Sequence, residues 1–331
     1  MREKNRGIKA KVDRILAQNL FARSGVNKPV FSENISKYII QSIKSLRLKK
    51  VPLRDKLQNI QQILDCIHEQ TLLALENQNS AKIEELVLWR RVWVFEIICK
   101  ELARLNFQKH TPLIYLKLPL EIIDPSNPNS YKFIKVKHLL IHKFELHSKK
   151  AKGLPYYVFL PKEKTYKERL PSICLFPGTN FKNLASIFAS SDAKGPGRTL
   201  YDNSKNCLKS LLKSTGKVRL LGYSQGGAMV LRTLVDFPKW ICQDPLQPSI
   251  TFNSPGLEND MLDSYIKNES QIIQKIPLTQ FASYADPVSK VGKLIRDVYE
   301  INPNQQKDSG IPWRRHIGCK SYYPSASISK I

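Results

Sequence analysis

The stretch KVRLLGYSQGGAMVLRTLVDF, residues 217–237, limits the fold more than any other part of this chain. Lys217–Gly222 is short and apolar enough to be a buried strand, and Gly226–Phe237 continues as a helix until Pro238 stops it. Between them, Gly222-Tyr223-Ser224-Gln225-Gly226 sets a serine at the corner with a glycine two residues to either side. So tight a turn from strand to helix brings backbone against backbone, and glycine is the residue that permits the approach. A serine at such a corner stands at the C-terminal end of its strand, where a nucleophile is displayed. A glycine-rich turn of this kind also serves to hold phosphate at a helix start. This one has neither the lysine of a P-loop nor the spacing of a dinucleotide fingerprint.

The corner sits within a longer alternation. Strand-like Ser172–Phe176 precedes a helical Thr199–Ser214, and further strand-like segments follow at Ser249–Ser254 and Leu278–Ala285. Short apolar strands alternating with helices predict right-handed βαβ units and a mostly parallel sheet. Upstream, Pro112–Ile123, Tyr131–Leu146 and Leu154–Leu160 are rich in β-branched, aromatic and aliphatic residues, broken at DPSNPNS and KKAKG. The fold class expected is therefore α/β.

Residues 1–110 have a different period. Ile8, Val12, Ile15, Leu16 and Leu20 form one apolar stripe. Ser32 reads as an N-cap before Ile35, Ile39, Ile40, Ile43 and Leu46. Leu53, Leu57, Ile60, Leu64 and Ile67 follow, and Ser80 would cap a helix running through Leu86, Phe95, Ile98 and Leu102. Helices joined by short links suggest a small basic antiparallel bundle ahead of an α/β domain at 111–331.

The chain carries 53 Lys and Arg against 28 Asp and Glu, a formal net charge of +25. Much of the excess lies in residues 1–50 and in Lys132–Arg169. Such a charge points to anionic partners and says nothing of fold. The basic amphipathic segment around Ile8–Leu20 suits peripheral contact with an anionic membrane, or packing in the bundle with its lysines solvated. No nucleic-acid-binding motif accompanies the charge, so a nucleic-acid partner ranks low. The longest apolar stretch, Leu86–Leu102, is cut by Arg90, Arg91, Glu96, Lys100 and Glu101 and is too polar to span a bilayer. The basic N-terminus lacks the apolar run of a secretory signal. Cys66, Cys99, Cys174, Cys207, Cys242 and Cys319 have no CxxC or Cys/His spacing. That pattern predicts reduced thiols in a cytoplasmic setting and no zinc site.

A serine hydroxyl needs a base to take its proton, and the base needs an acid to hold its tautomer. His316 is the single histidine of six that follows Ser224. Between them Asp286 closes the strand-like LTQFASYA segment just before Pro287, the position expected of the acid; Asp297 is the second choice. Acyl transfer also needs donors where the oxyanion develops. The N–H of Gln225 supplies one, and Thr179 in Phe176-Pro177-Gly178-Thr179-Asn180 is the candidate for the other.

Several segments, in order, resemble the class 3 (fungal-type) lipases of the α/β-hydrolase superfamily. FPGTN resembles that family's Phe-Arg-Gly-Thr/Ser oxyanion segment, and GYSQGGA its Gly-His-Ser-Leu-Gly-Gly-Ala elbow. TFNSPG resembles its Thr-Phe-Gly-x-Pro strand end, ADPVSK its Asp-Pro-Val acid segment, and His316-Ile317-Gly318 its His-x-Gly. The resemblance spans about residues 112–331. Pro177 stands where the family has arginine, and Tyr223 and Gln225 stand where it has histidine and leucine. Gly-x-Ser-Gln-Gly is closer to cutinases, carboxylesterases and acyl-protein thioesterases.

The resemblance implies an α/β-hydrolase fold and a serine esterase acting on lipid or acyl esters through an acyl-enzyme, with no metal or organic cofactor. An acyltransferase or thioesterase would use the same residues, and a membrane-surface adaptor would keep the fold without the chemistry. Asn180–Gly197 is a candidate cover for the site.

Overall fold

The computed structural model describes residues 33–48, 51–76, 80–105, 113–124, 127–148, 151–162, 170–179, 192–268, 275–303, 316 and 326–331. The Ile8–Leu20 stripe, Ser32, Cys319 and the 180–191 part of the candidate cover lie outside them.

Among the described residues one sheet carries nine strands in chain order, β1 to β9. They are β1 (Ile114–Asp124), β2 (Asn127–Ser148), β3 (Ala151–Pro161), β4 (Ser172–Phe176), β5 (Val218–Tyr223), β6 (Ser249–Phe252), β7 (Leu278–Ser283), β8 (Asp297–Pro303) and β9 (Ala326–Lys330). The helices are α1 (Glu33–Leu46), α2 (Leu53–Glu76), α3 (Ser80–Lys100), α4 (Arg198–Thr215), α5 (Gln225–Asp236) and α6 (Asn259–Asn268). No helix among the described residues is long and apolar enough to cross a membrane.

The chain is an α/β protein, but the expected mostly parallel sheet is instead mixed. β4 through β8 pair in parallel, whereas β1, β2 and β3 pair antiparallel with one another, β3 with β4, and β8 with β9. For β1, β2 and β3 the cause is connection length. A parallel neighbour needs a crossover of a dozen or more residues, whereas a short link returns the chain alongside itself. The breaks at DPSNPNS and KKAKG are too short for anything but hairpins.

Each face of the sheet is covered. Cys174, Phe176, Val218 and Leu220 point to one side, into a cluster with Tyr201, Leu208 and Leu212 of α4, Met229 to Val235 of α5 and Met261 of α6. Ile173, Leu175, Leu221 and Tyr223 point to the other. There they join Ile35, Ile39 and Ile43 of α1, Ile60, Ile63 and Ile67 of α2, and Trp93, Phe95, Ile97 and Ile98 of α3. The period-2 alternation of strands thus feeds two cores, and α1–α3 share theirs with the sheet.

α3 is buried on almost every side, as expected of a helix apolar all round. It nevertheless carries Arg90, Glu96 and Lys100 into the interior, and each finds a partner. Arg90 pairs with Glu121 of β1 at 2.9 Å and lies over the Phe133 ring, and Lys100 pairs with Glu96 at 3.0 Å. Arg91 reaches the other Glu121 oxygen at 2.7 Å. Nearby, Arg219 of β5 donates to the Pro248 carbonyl at 2.6 Å and to Gln247 Oε1 at 3.1 Å, with its guanidinium over Phe95. Cys66, Cys99, Cys174 and Cys242 pack as buried thiols. His138, in the middle of β2, is fully buried, with Nδ1 2.9 Å from the Val136 carbonyl. That face of β2 lies against α2 and not in solvent.

Candidate active site

Parallel strands all point the same way, so their C-terminal ends line one edge of the sheet. Register brings Phe176 beside Gly222, Tyr223 beside Phe252, and Phe252 beside Phe281. The residues that follow these ends are then at the same edge, and three residues there turn sharply. Ser224 has φ 55°, Asn253 φ 47°, and Ala285, just before Asp286, φ 52°. Left-handed backbone at non-glycine residues costs roughly 1–3 kcal/mol each and gathers where function needs it.

The corner at Ser224 explains its glycines. A Cβ on Gly222 would lie 2.3 Å from the Gly226 carbonyl oxygen, and one on Gly226 would lie 2.1 Å from that of Phe176. The first distance is the tightness of the elbow, and the second is the close passage of the β4 end beneath it. The Ser224 N–H donates to the Phe252 carbonyl at 2.8 Å, pinning the strained residue to β6.

Around this corner the structure brings three of the sequence-selected side chains together. His316 Nε2 lies 2.8 Å from Ser224 Oγ, and His316 Nδ1 lies 3.0 Å from Asp286 Oδ1. All three residues are buried, His316 at 4% exposure. Asp286 also accepts from Ser289 Oγ at 2.6 Å and from the Val288 N–H at 3.2 Å. The second-choice acid, Asp297, begins β8 beside Thr279, at the opposite edge of the sheet, where it pairs with Lys330.

Gln225 opens α5 directly after the serine, so its N–H is among those a helix start leaves without an intrahelical partner. Thr179 follows the β4 end. Its neighbour Gly178 would bring a Cβ within 3.4 Å of Ser224 Cβ and 3.0 Å of the Tyr223 carbonyl oxygen, so this segment runs against the nucleophile corner.

Two side chains at this edge were not selected from the sequence. Asn253 Nδ2 donates to the His316 carbonyl at 3.0 Å while its Oδ1 accepts from the Ser283 N–H at 2.7 Å, tying β6 to β7 and to the histidine. The Tyr223 hydroxyl donates to the same His316 carbonyl at 2.5 Å. The sequence did carry a signal for the first of these: Asn253 stands in TFNSPG where the resembled family has glycine, and asparagine is the next residue most tolerant of left-handed backbone.

No family model matches the chain, and no curated protein does. Among solved structures the chain is similar to lipase II from Rhizopus niveus. The two share 18% identity at a TM-score of 0.35, over 58% of this chain and 70% of that one.

Proposed function

We propose that this chain is a serine hydrolase of the α/β-hydrolase type that cleaves carboxylic esters of lipid or other acyl groups. The hydrolase unit is residues 111–331, preceded by the basic helical region 1–110. Ser224 is the nucleophile, His316 the general base and Asp286 its orienting acid. One observation carries the reading: a single imidazole spans from Ser224 Oγ, 2.8 Å away, to Asp286 Oδ1, 3.0 Å away, at a strained strand-to-helix corner.

In the first half-reaction Ser224 Oγ attacks the ester carbonyl carbon as His316 Nε2 takes its proton. Asp286 accepts the Nδ1–H, which leaves Nε2 as the acceptor and favours the imidazolium that forms. The oxyanion of the tetrahedral intermediate is received by the Gln225 N–H and by Thr179. His316 then returns the proton to the departing alkoxide, which leaves an ester on Ser224. Water, its proton taken in turn by Nε2, attacks that ester; the bond to Ser224 Oγ breaks, the carboxylic acid leaves, and Nε2 returns the proton to Oγ. Each half-reaction transfers one acyl group and moves protons among Ser224, His316, the ester and water, so the chemistry calls for no cofactor.

A fluorophosphonate probe tests the reading directly. The wild type is expected to be labelled and to cleave p-nitrophenyl esters. Ser224→Ala is expected to lose labelling altogether and to lose on the order of 10⁶-fold in kcat. Turnover that survives in Ser224→Ala would end the assignment.

A further inference from the structure

His316 is held at two places. Its ring is fixed at Nδ1 by Asp286, and its backbone carbonyl accepts two buried donors, Tyr223 Oη at 2.5 Å and Asn253 Nδ2 at 3.0 Å. Those donors come from the ends of adjacent strands, β5 and β6, and one of them is the residue immediately before the nucleophile. The Tyr223 and His316 rings also pack against each other, with centroids 5.7 Å apart. On its other side Tyr223 meets α3: the Lys100 ammonium lies 4.6 Å from the Tyr223 ring centroid while paired with Glu96 at 3.0 Å. Lys100 is 3% exposed. A lysine so buried costs free energy unless its charge is used, and here it faces an aromatic ring and a carboxylate.

We propose that Tyr223, backed by Lys100 of α3, is a positioning residue for the base: with Asn253 it holds the His316 carbonyl and so fixes the peptide from which the imidazole reaches Ser224. The inference rests on the reading of Ser224 and His316 as nucleophile and base, and it makes the N-terminal helices part of the working site. The chain of contact runs from Glu96 and Lys100 on α3, through the Tyr223 ring and hydroxyl, to the His316 backbone. The direction of the last bond follows from chemistry, since a carbonyl can only accept and the phenol must donate. Burial pushes the Tyr223 phenol above its ordinary pKa, against the opposing pull of Lys100, so the donor keeps its proton at any neutral working pH. Asp286 orients the ring but leaves the backbone that carries it free to shift. Holding the His316 carbonyl limits that shift, and a base displaced by about 1 Å from its nucleophile loses about 10²-fold in rate.

The test combines ester kinetics with the downfield proton resonance of the His316 imidazole. Tyr223→Phe keeps the ring over Lys100 and removes only the hydroxyl. Its kcat on a p-nitrophenyl ester is expected to fall about 10- to 100-fold with KM within about threefold, and the Nδ1 proton resonance to shift or broaden. A kcat within twofold of wild type together with an unchanged resonance overturns the proposal. The double substitution Glu96→Gln/Lys100→Met removes the buried pair without stranding either charge. It is expected to lower kcat about 3- to 10-fold at constant KM, and an unchanged kcat overturns the part assigned to α3. A wild type that is inert to every ester and to fluorophosphonate sinks the hydrolase reading instead. In that event the resonance of Tyr223→Phe decides the clamp by itself: a shift or broadening upholds it, and no change overturns it.

Discussion

The two halves of the sheet use the same backbone bonding for opposite ends. In the parallel half, β4 to β8, every strand runs the same way, so one edge collects the residues that follow Phe176, Tyr223, Phe252 and Ser283. Ser224, Asn253 and Asp286 are gathered there although they are far apart in the chain. In the antiparallel half, β1 to β3, alternate strands point in opposite directions and no edge gathers their ends. That half instead holds buried charge on its face, where Glu121 of β1 meets Arg90 and Arg91 of α3. The contrast teaches that polar groups enter this interior under two rules. At the parallel edge they stand in a line from Ser224 through His316 to Asp286, and on the antiparallel face they are held as ion pairs.

The sharpest break in that comparison is at Asp286. Asp286→Asn is expected to lower kcat by about 10⁴-fold with little change in melting temperature, because the amide favours the wrong imidazole tautomer. Asp297→Asn, at the other edge of the sheet, is expected to leave kcat within about twofold. Equal losses from the two would erase the distinction between the edges.

Glu121→Ala probes the other half. It leaves Arg90 without its carboxylate in a site from which water is excluded, and breaking a buried pair in this way costs about 3–5 kcal/mol. Chemical denaturation should record that loss, while kcat per folded molecule stays near wild type. A large fall in kcat with unchanged stability would reverse the division of labour.

The smallest effect expected is a dependence on acid. Burial, and then the Arg90 and Lys135 charges, lower His68 to about 4, with Asp65 opposing. A histidine unfolds to an ordinary pKa of about 6.5, so the unfolded chain binds a proton first and stability declines as pH falls from about 6.5 towards about 4. Glu121 acts lower. Burial opposes its charged form, but Arg91 and Arg90 prevail and hold it below the usual carboxylate range. Its contribution is therefore complete above the unfolded value of about 4.3 and is lost as pH drops through the folded one. Melting temperature should fall across both windows, and His68→Gln should flatten the upper one. A melting temperature constant from pH 7 to pH 4 would refute the assignment of His68, and one that stays constant on further acidification would refute that of Glu121.

Much of the fold was legible because its signals are local. The hairpin breaks, the apolar strands at Ser172–Phe176 and Ser249–Phe252 and the helix after Ser224 are all written in short windows. β8 and β9 were not read. Asp297–Pro303 alternates polar and apolar residues too irregularly, and Ala326–Lys330 is a half-exposed edge strand with little apolar content. The mixed pairing went unread for β3 and β4, since no short window shows whether a strand lies beside its predecessor parallel or reversed. At the site, Ser224, Asp286 and His316 could be named because their order along the chain and the glycine spacing are themselves one-dimensional. Tyr223 could not, since its part depends on a carbonyl 93 residues away.

From the sequence alone came the strand-to-helix corner, its serine, and the limited choice of acid and base. These follow from period and spacing, which neighbouring residues impose on one another. Tertiary structure alone decided that His138 is interior and that α3 brings Lys100 against Tyr223, and it is what carries Asp286, already preferred to Asp297, to His316. Each of these depends on which strands lie side by side and which helix covers their face. Such pairings are set by the burial of the whole molecule at once, and no local stretch of chain contains them.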